Sequence, residues 1–128
     1  GEKRECKAEQ GKLGATLKNF SFVSSDEDQI AAALVKYGPL SIGINAAWMQ
    51  TYMGGVACPY ICDPEALDHG ILIVGYGSGG FAPVRWSEEP YWVVKNSWGP
   101  DWGSEGHMFM CKGRGSCGIN NMVVAAHA

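Results

Sequence analysis

Leu67-Asp68-His69-Gly70-Ile71-Leu72-Ile73-Val74-Gly75-Tyr76-Gly77 decides how the rest of the chain reads. Its core, Ile71 to Val74, is a continuous aliphatic and β-branched run bounded by Gly70 and Gly75, which predicts a central strand. His69 stands immediately before that rigid element, the placement that a general base or a metal ligand needs. Taken alone, a histidine at a strand start is more often structural.

Toward the N-terminus, Leu40 to Ile44 alternates as a half-buried strand does. Before it lies one amphipathic helix. Ser25 is its candidate N-cap, Asp28 completes a capping-box pattern, and Asp26 and Glu27 suit the positive end of the helix dipole. Ile30, Ala33, Leu34 and Tyr37 share one face, and Gly38-Pro39 ends the helix. Leu17 to Val23 suits a short strand, whereas residues 1 to 14 are polar, without period, and read as an arm. Toward the C-terminus, Tyr91 to Val94, Met108 to Met110 and Met122 to Val124 are further strands, with loops at Gly77 to Pro83 and Gly113 to Gly118. One helix followed by short strands predicts an α+β domain around a partly closed antiparallel sheet.

The composition narrows the function classes. A chain of 128 residues with 46% hydrophobic and 18% charged residues has material for one packed core, so disorder is excluded. A net charge of −3, with Lys and Arg scattered, argues against a nucleic-acid or membrane-surface footprint. The longest apolar stretch, Gly70 to Tyr76, is too short to span a bilayer. Gly1 in place of an initiator Met, with no apolar leader behind it, reads as a processed or excised piece.

Five cysteines cannot all pair within one chain. Cys58 and Cys62 form one close pair in sequence, Cys111 and Cys117 another, and Cys6 stands apart. The C-x3-C and C-x5-C spacings match zinc ribbons and knuckles poorly, so disulfides are the better reading and no metal or other cofactor is expected. Disulfides imply an oxidising compartment. Asn19-Phe20-Ser21 is a glycosylation sequon consistent with that route, with Asn19 as acceptor. Four cysteines allow three connectivities, and spacing alone leaves all three open.

A second segment carries chemistry: Tyr91-Trp92-Val93-Val94-Lys95-Asn96-Ser97-Trp98-Gly99-Pro100-Asp101-Trp102-Gly103. An amide and two indoles follow a strand among glycines that let backbone approach closely. Together with Leu67 to Gly77, this segment resembles the histidine and asparagine motifs of the papain-like cysteine proteases, L-D-H-G-x-x-x-V-G-Y-G and Y-W-x-x-K-N-S-W-G-x-x-W-G. The helix, Gly38-Pro39-Leu40-Ser41-Ile42, Gly54-Gly55-Val56 and Cys117-Gly118-Ile119 fall in family order, so the resemblance covers nearly the whole chain. The Cys58-Pro59-Tyr60-Ile61-Cys62 insertion and the Gly77 to Pro90 loop look closest to the cathepsin F-like branch found in plants.

The resemblance implies a papain-like right-hand domain over residues 24–128, with a β-barrel-like sheet, and residues 1–23 as an arm crossing toward an N-terminal helical domain. His69 matches the imidazole that activates a thiol and protonates the leaving amine, and Asn96 matches the amide that orients it. Trp98 would shield that hydrogen bond and line the leaving-group side, and Trp102 would extend the aromatic wall. Gly43, Leu67 and Met122 match the pocket for the substrate residue second from the cut on the acyl side, with Asp68 beside it. The nucleophile signature C-G-[SA]-C-[WY] does not occur; Gly115-Ser116-Cys117-Gly118 follows the histidine and lacks the aromatic. Since that signature lies roughly 130–150 residues before the His and Asn, the nucleophile is expected on the order of 60–80 residues before Gly1.

By the same resemblance, Cys62 pairs with Cys117, Cys58 with Cys111, and Cys6 with a cysteine of the N-terminal domain. The implied partners are that N-terminal half bearing the nucleophilic Cys, peptide or protein substrates, and cystatin-type inhibitors. The implied location is the secretory pathway, in a vacuole, lysosome or the extracellular space. The expected function is the C-terminal half of a cysteine endopeptidase, inactive in isolation; the alternative is a stable noncatalytic fragment acting as a binding or inhibitory module. His107 at a strand start, His127 in a terminal tail, Lys95 at a strand edge and a solvated Glu88-Glu89-Pro90 turn are expected to be structural or surface residues.

Overall fold

The computed structural model describes residues 2–7 and 11–128; residues 1 and 8–10 of the expected arm lie outside the described residues. Strand β1 (Asn19–Phe22) leads into helix α1 (Glu27–Tyr37), followed by β2 (Leu40–Ile44), β3 (Val56–Ala57), β4 (His69–Ala82), β5 (Ser87–Lys95), β6 (His107–Cys111) and β7 (Val123–His127). The strands form one seven-stranded sheet in the order β1-β7-β2-β4-β5-β6-β3. Every pairing is antiparallel except β3 with β6. This is the expected α+β architecture of one helix against a multistranded sheet. The two-residue β3 carries no alternation that a sequence could reveal.

The helix begins one residue later than expected. Asp26, not Ser25, is the N-cap: its Oδ1 accepts the backbone N–H groups of Asp28 and Gln29 at 2.8 and 3.2 Å, while Ser24 Oγ accepts the N–H of Asp26. A carboxylate is both the better acceptor for two orphan donors and a favourable charge at the dipole's positive end. Gly38 closes the helix at φ +82°, its N–H bonded to Leu34 O. Ile30, Ala33 and Leu34 face the core. Tyr37 does not; it lies half exposed at the helix end, edge-on to His127 at 5.0 Å. His127 accordingly sits within β7 rather than in a tail, its Nε2 hydrogen-bonded to Ser21 Oγ at 2.8 Å.

The largest departure from the sequence reading is the Gly77 to Pro83 segment, which is strand to Ala82 and not loop. The glycines serve packing there. A Cβ on Gly77 would sit 2.5 Å from the Tyr91 ring, and one on Gly80 2.5 Å from Val56 Cγ2. Tyr91 lies directly across from Gly77 in the β4–β5 ladder, so its ring fills the space that a β4 side chain would take. Irregularities between Ile73 and Gly75 and between Gly77 and Gly80 bend the long strand around the core. Glu88, Glu89 and Pro90 are likewise strand residues and not a turn. Glu89 accepts from both Arg114 and Ser87, and the hydrogen bond from the Arg114 guanidinium, above all, holds its carboxyl below the usual range.

The main core gathers Ile30 and Leu34 of α1, Leu40, Ile42 and Ile44 of β2, Ile71 and Ile73 of β4, Trp92 and Val94 of β5, and Met108 and Met110 of β6. A second cluster of Val56, Cys58, Ala82 and Cys111 lies beneath the β4–β5 tip. Disulfides join Cys58 to Cys111 and Cys62 to Cys117, with Cα atoms 5.1 and 5.0 Å apart. Cys6 is exposed and unpaired among the described residues. Asn19 is exposed on the edge strand β1.

Glu27 ties the helix to both the core and the Gly113–Gly118 loop. Its Oε1 accepts the indole N–H of Trp92, which is fully buried, at 2.7 Å, and its Oε2 accepts the Gly115 N–H at 3.0 Å. Glu27→Ala strands the Trp92 donor away from water, and a loss of about 1–3 kcal/mol in a denaturant titration is the expected outcome. A loss below a few tenths of that would show that the bond is dispensable.

Candidate active site

His69 is the first residue of β4 and Asn96 the first residue beyond β5. The β4–β5 register, with Leu72 opposite Lys95 and Ile73 opposite Val94, brings residues 27 apart in sequence to the same end of the ladder. His69 Nε2 lies 2.8 Å from Asn96 Oδ1. The same oxygen accepts the backbone N–H of Ser97, also at 2.8 Å. A backbone N–H can only donate, so the Asn96 atom facing it is an oxygen and the imidazole Nε2 is the donor. Nδ1 is thereby left as the ring nitrogen free for chemistry. Asn96 is buried, its own N–H bonded to Gly106 O, and its Nδ2 has no partner among the described residues.

Trp98 leans over the imidazole with ring centroids 5.1 Å apart and planes 31° from parallel. It remains 40% exposed, so it forms a wall of the site and not part of the core. Trp102 meets Trp98 edge-on at 5.4 Å and donates its indole N–H to Met49 O. Tyr52 follows at 5.8 Å from Trp102. Burial pushes the Tyr52 phenol up from its ordinary range, partly offset by the Phe109 N–H, and the hydroxyl donates to Gly55 O at 2.7 Å.

His69 also borders a cleft of about 440 Å³ lined by Gly43, Leu67, Met122 and Val124 among others. A Cβ on Gly43 would stand 3.2 Å from Leu67 Cδ1 and 3.4 Å from Met122 Sδ, so the missing side chain is what keeps the cleft open. The structure thus brings together Gly43, Leu67, Met122, His69, Asn96, Trp98 and Trp102. Asp68 is adjacent, but one of its carboxylate oxygens is engaged: Oδ1 accepts the Ala46 N–H at 2.9 Å and pins the 3₁₀ turn Ala46–Trp48 beside the site. Asn45 was not a candidate from sequence, yet it caps that turn and bonds Asp63 O. Val124 and Tyr52 were also passed over, because their place at the site arises from strand and ring contacts far apart in sequence. Among the described residues no three His, Cys, Asp or Glu side chains group as a metal site. Cys117 is buried in its disulfide.

The sequence profile of the papain family cysteine proteases matches residues 1–127. The chain belongs to the papain family of cysteine proteases. A pea cysteine proteinase, 15A from Pisum sativum, is 56% identical over 123 residues, covering 96% of this chain and 34% of its own length. Mouse cathepsin F is 45% identical over 106 residues, 81% of this chain and 21% of its own length. Among solved structures, digestive procathepsin L 3 of the Tenebrio molitor larval midgut superposes with a TM-score of 0.83 at 30% identity over 99% of this chain and 40% of its own. The chain therefore spans about a third of the length of plant cysteine proteinases such as that of pea, and corresponds to their C-terminal region.

The hydrogen-bond assignment predicts that the neutral His69 ring carries its proton on Nε2. Nitrogen-15 chemical shifts of the imidazole are expected to report that tautomer as dominant, and Asn96→Ala to shift the ring toward a mixture of the two. A ring protonated mainly on Nδ1 in the unsubstituted protein would contradict the assignment.

Proposed function

We propose that this chain is the part of a papain-like cysteine endopeptidase that supplies the general acid–base and its orienter, His69 and Asn96, to a nucleophilic thiol carried on a preceding part of the same protein. The observation that carries the reading is the 2.8 Å bond from His69 Nε2 to Asn96 Oδ1 beneath Trp98, with Nδ1 left free. His69 Nδ1 takes the thiol proton, the thiolate attacks the scissile carbonyl, and the imidazolium returns that proton to the leaving amine. Asn96 holds the ring orientation through this cycle, as the aspartate does in a serine triad. Trp98 limits water at the His69–Asn96 bond and supports the leaving-group side of a substrate. The described cysteines support an external nucleophile: Cys58, Cys62, Cys111 and Cys117 are held in disulfides, and Cys6 lies outside the strands that build the site.

The cleft of Gly43, Leu67 and Met122 has apolar walls, which suits Leu, Val or Phe at the second substrate position on the acyl side. Asp68 marks its rim. The oxidising location implied by the two disulfides supports passage through the secretory pathway to a vacuole, lysosome or the extracellular space, with Asn19 as a glycan acceptor. Cys6 is the proposed tether to the nucleophile-bearing half, and cystatin-type inhibitors are candidate partners of the assembled cleft. The reading as a noncatalytic binding module has no observation in its favour beyond the lack of a nucleophile within these residues.

Two outcomes are expected. In the intact protease, a peptide library shows at least about tenfold preference for Leu, Val or Phe over Arg at the second acyl-side position, and His69→Ala lowers kcat/KM by about 10²–10⁴; dominant cleavage after Arg-containing sequences at that position would reject the pocket assignment. The isolated chain hydrolyses no peptide, and a thiol-directed epoxide leaves Cys117 unlabelled by mass spectrometry; stoichiometric labelling there would sink the division of roles.

A further inference from the structure

A second apolar pocket shares no lining residue with the Gly43–Leu67–Met122 cleft. It encloses about 230 Å³ and is lined by Trp48, Tyr52, Met53, Val56, Pro83 and Val84 among others. Its walls come from the turn after β2, the segment around β3 and the tip of the β4–β5 hairpin, which only the fold brings together. They are braced. The Cys58–Cys111 disulfide anchors the floor to β6, Arg85 donates to the carbonyls of Cys58 and Pro59, and Trp48 donates its indole N–H to Ile61 O. Arg85 also lies 3.6 Å from the Tyr60 ring centroid, and neither residue lines this pocket. Large apolar side chains stay in water around this pocket: Met53 is 98% exposed and Ile61 84%. Such a rim on a braced pocket marks a contact surface.

The occupant follows from continuity with the active site. Tyr52 lines this pocket and also faces Trp102, which faces Trp98, which faces His69. Successive centroid steps of 5.1, 5.4 and 5.8 Å put the Tyr52 ring no farther than ~16 Å from the imidazole, a span that about five residues of extended chain suffice to cover at ~3.3 Å per residue. A substrate with its acyl side in the Gly43 cleft and its scissile bond at His69 continues along this aromatic wall. We infer that the pocket is a remote leaving-group-side subsite that takes a Leu, Met or Phe side chain about four to six residues past the cut in an extended protein substrate. The inference rests on the protease reading, and it extends selectivity well beyond the bond that is cleaved.

The test uses the intact protease and internally quenched peptides of identical sequence up to the second residue after the cut. One set stops there, and the others continue with either Leu or Asp at the fourth, fifth or sixth position. The expected result is a kcat/KM about tenfold higher for Leu than for Asp at one of these positions, an advantage that Val84→Asp and, independently, Met53→Asp reduce to less than twofold. The ratio of the Leu to the Asp peptide is the readout, so a variant that merely folds poorly lowers both rates and leaves the ratio standing, which counts against the pocket. Equal rates for Leu and Asp peptides, or a Leu advantage that survives both variants, overturn the inference. Failure of the intact enzyme to cleave the short peptide would overturn the protease reading itself, and the subsite with it.

Discussion

The pairing of β4 with β5 is the constraint on which the site depends. His69 begins β4 and Asn96 follows β5, and their contact exists because Leu72 pairs with Lys95 and Ile73 with Val94. A slip of one residue would turn alternate side chains to the opposite face and exchange the core positions Ile71, Ile73, Trp92 and Val94 for exposed ones. Burying each such side chain is worth about 1.5–3 kcal/mol, so the core and the His69–Asn96 bond are selected together. Tyr91, whose ring covers Gly77 and approaches Gly80, prolongs the same ladder beyond the core.

Around this ladder the polar groups are used mainly to fix loops. Asp68 holds the turn at Ala46, Asn45 caps it, and Glu27 joins helix, buried indole and the Gly115 backbone. Arg85 and the Cys58–Cys111 bridge do the same for the hairpin tip and the Cys58–Cys62 insertion. The consequence is a site whose walls are set from several directions. The Gly43–Leu67–Met122 cleft is kept open by the absent side chain of Gly43, and a run of aromatic rings leads away from His69.

Much of this was legible in the chain. Helix α1 carries its own caps and apolar face, and the family motifs around His69 and Asn96 preserve local order, so the α+β class and the residues of the site could be named. Local errors have specific causes. The expected Ser25 cap loses to Asp26 because a neighbouring carboxylate competes for the same N–H groups. Tyr37 leaves the core face at the helix end, where it meets His127 of β7 edge-on. Glu89 pairs with Gly80 in the β4–β5 ladder and accepts from Arg114, partners that lie 9 and 25 positions away.

By itself the sequence determined those features that depend on neighbours along the chain: periodicity, caps, turn residues and the chemical identity of the imidazole, amide and indoles. Tertiary structure alone decided that a glycine-rich run would be strand, that Asn96 Oδ1 would face both Ser97 N–H and His69 Nε2, and that Tyr52 would join the aromatic wall. The physical reason is that a glycine records only freedom, and an amide only capacity to bond. Which conformation or partner is taken depends on rings and backbone groups brought close by the ladder.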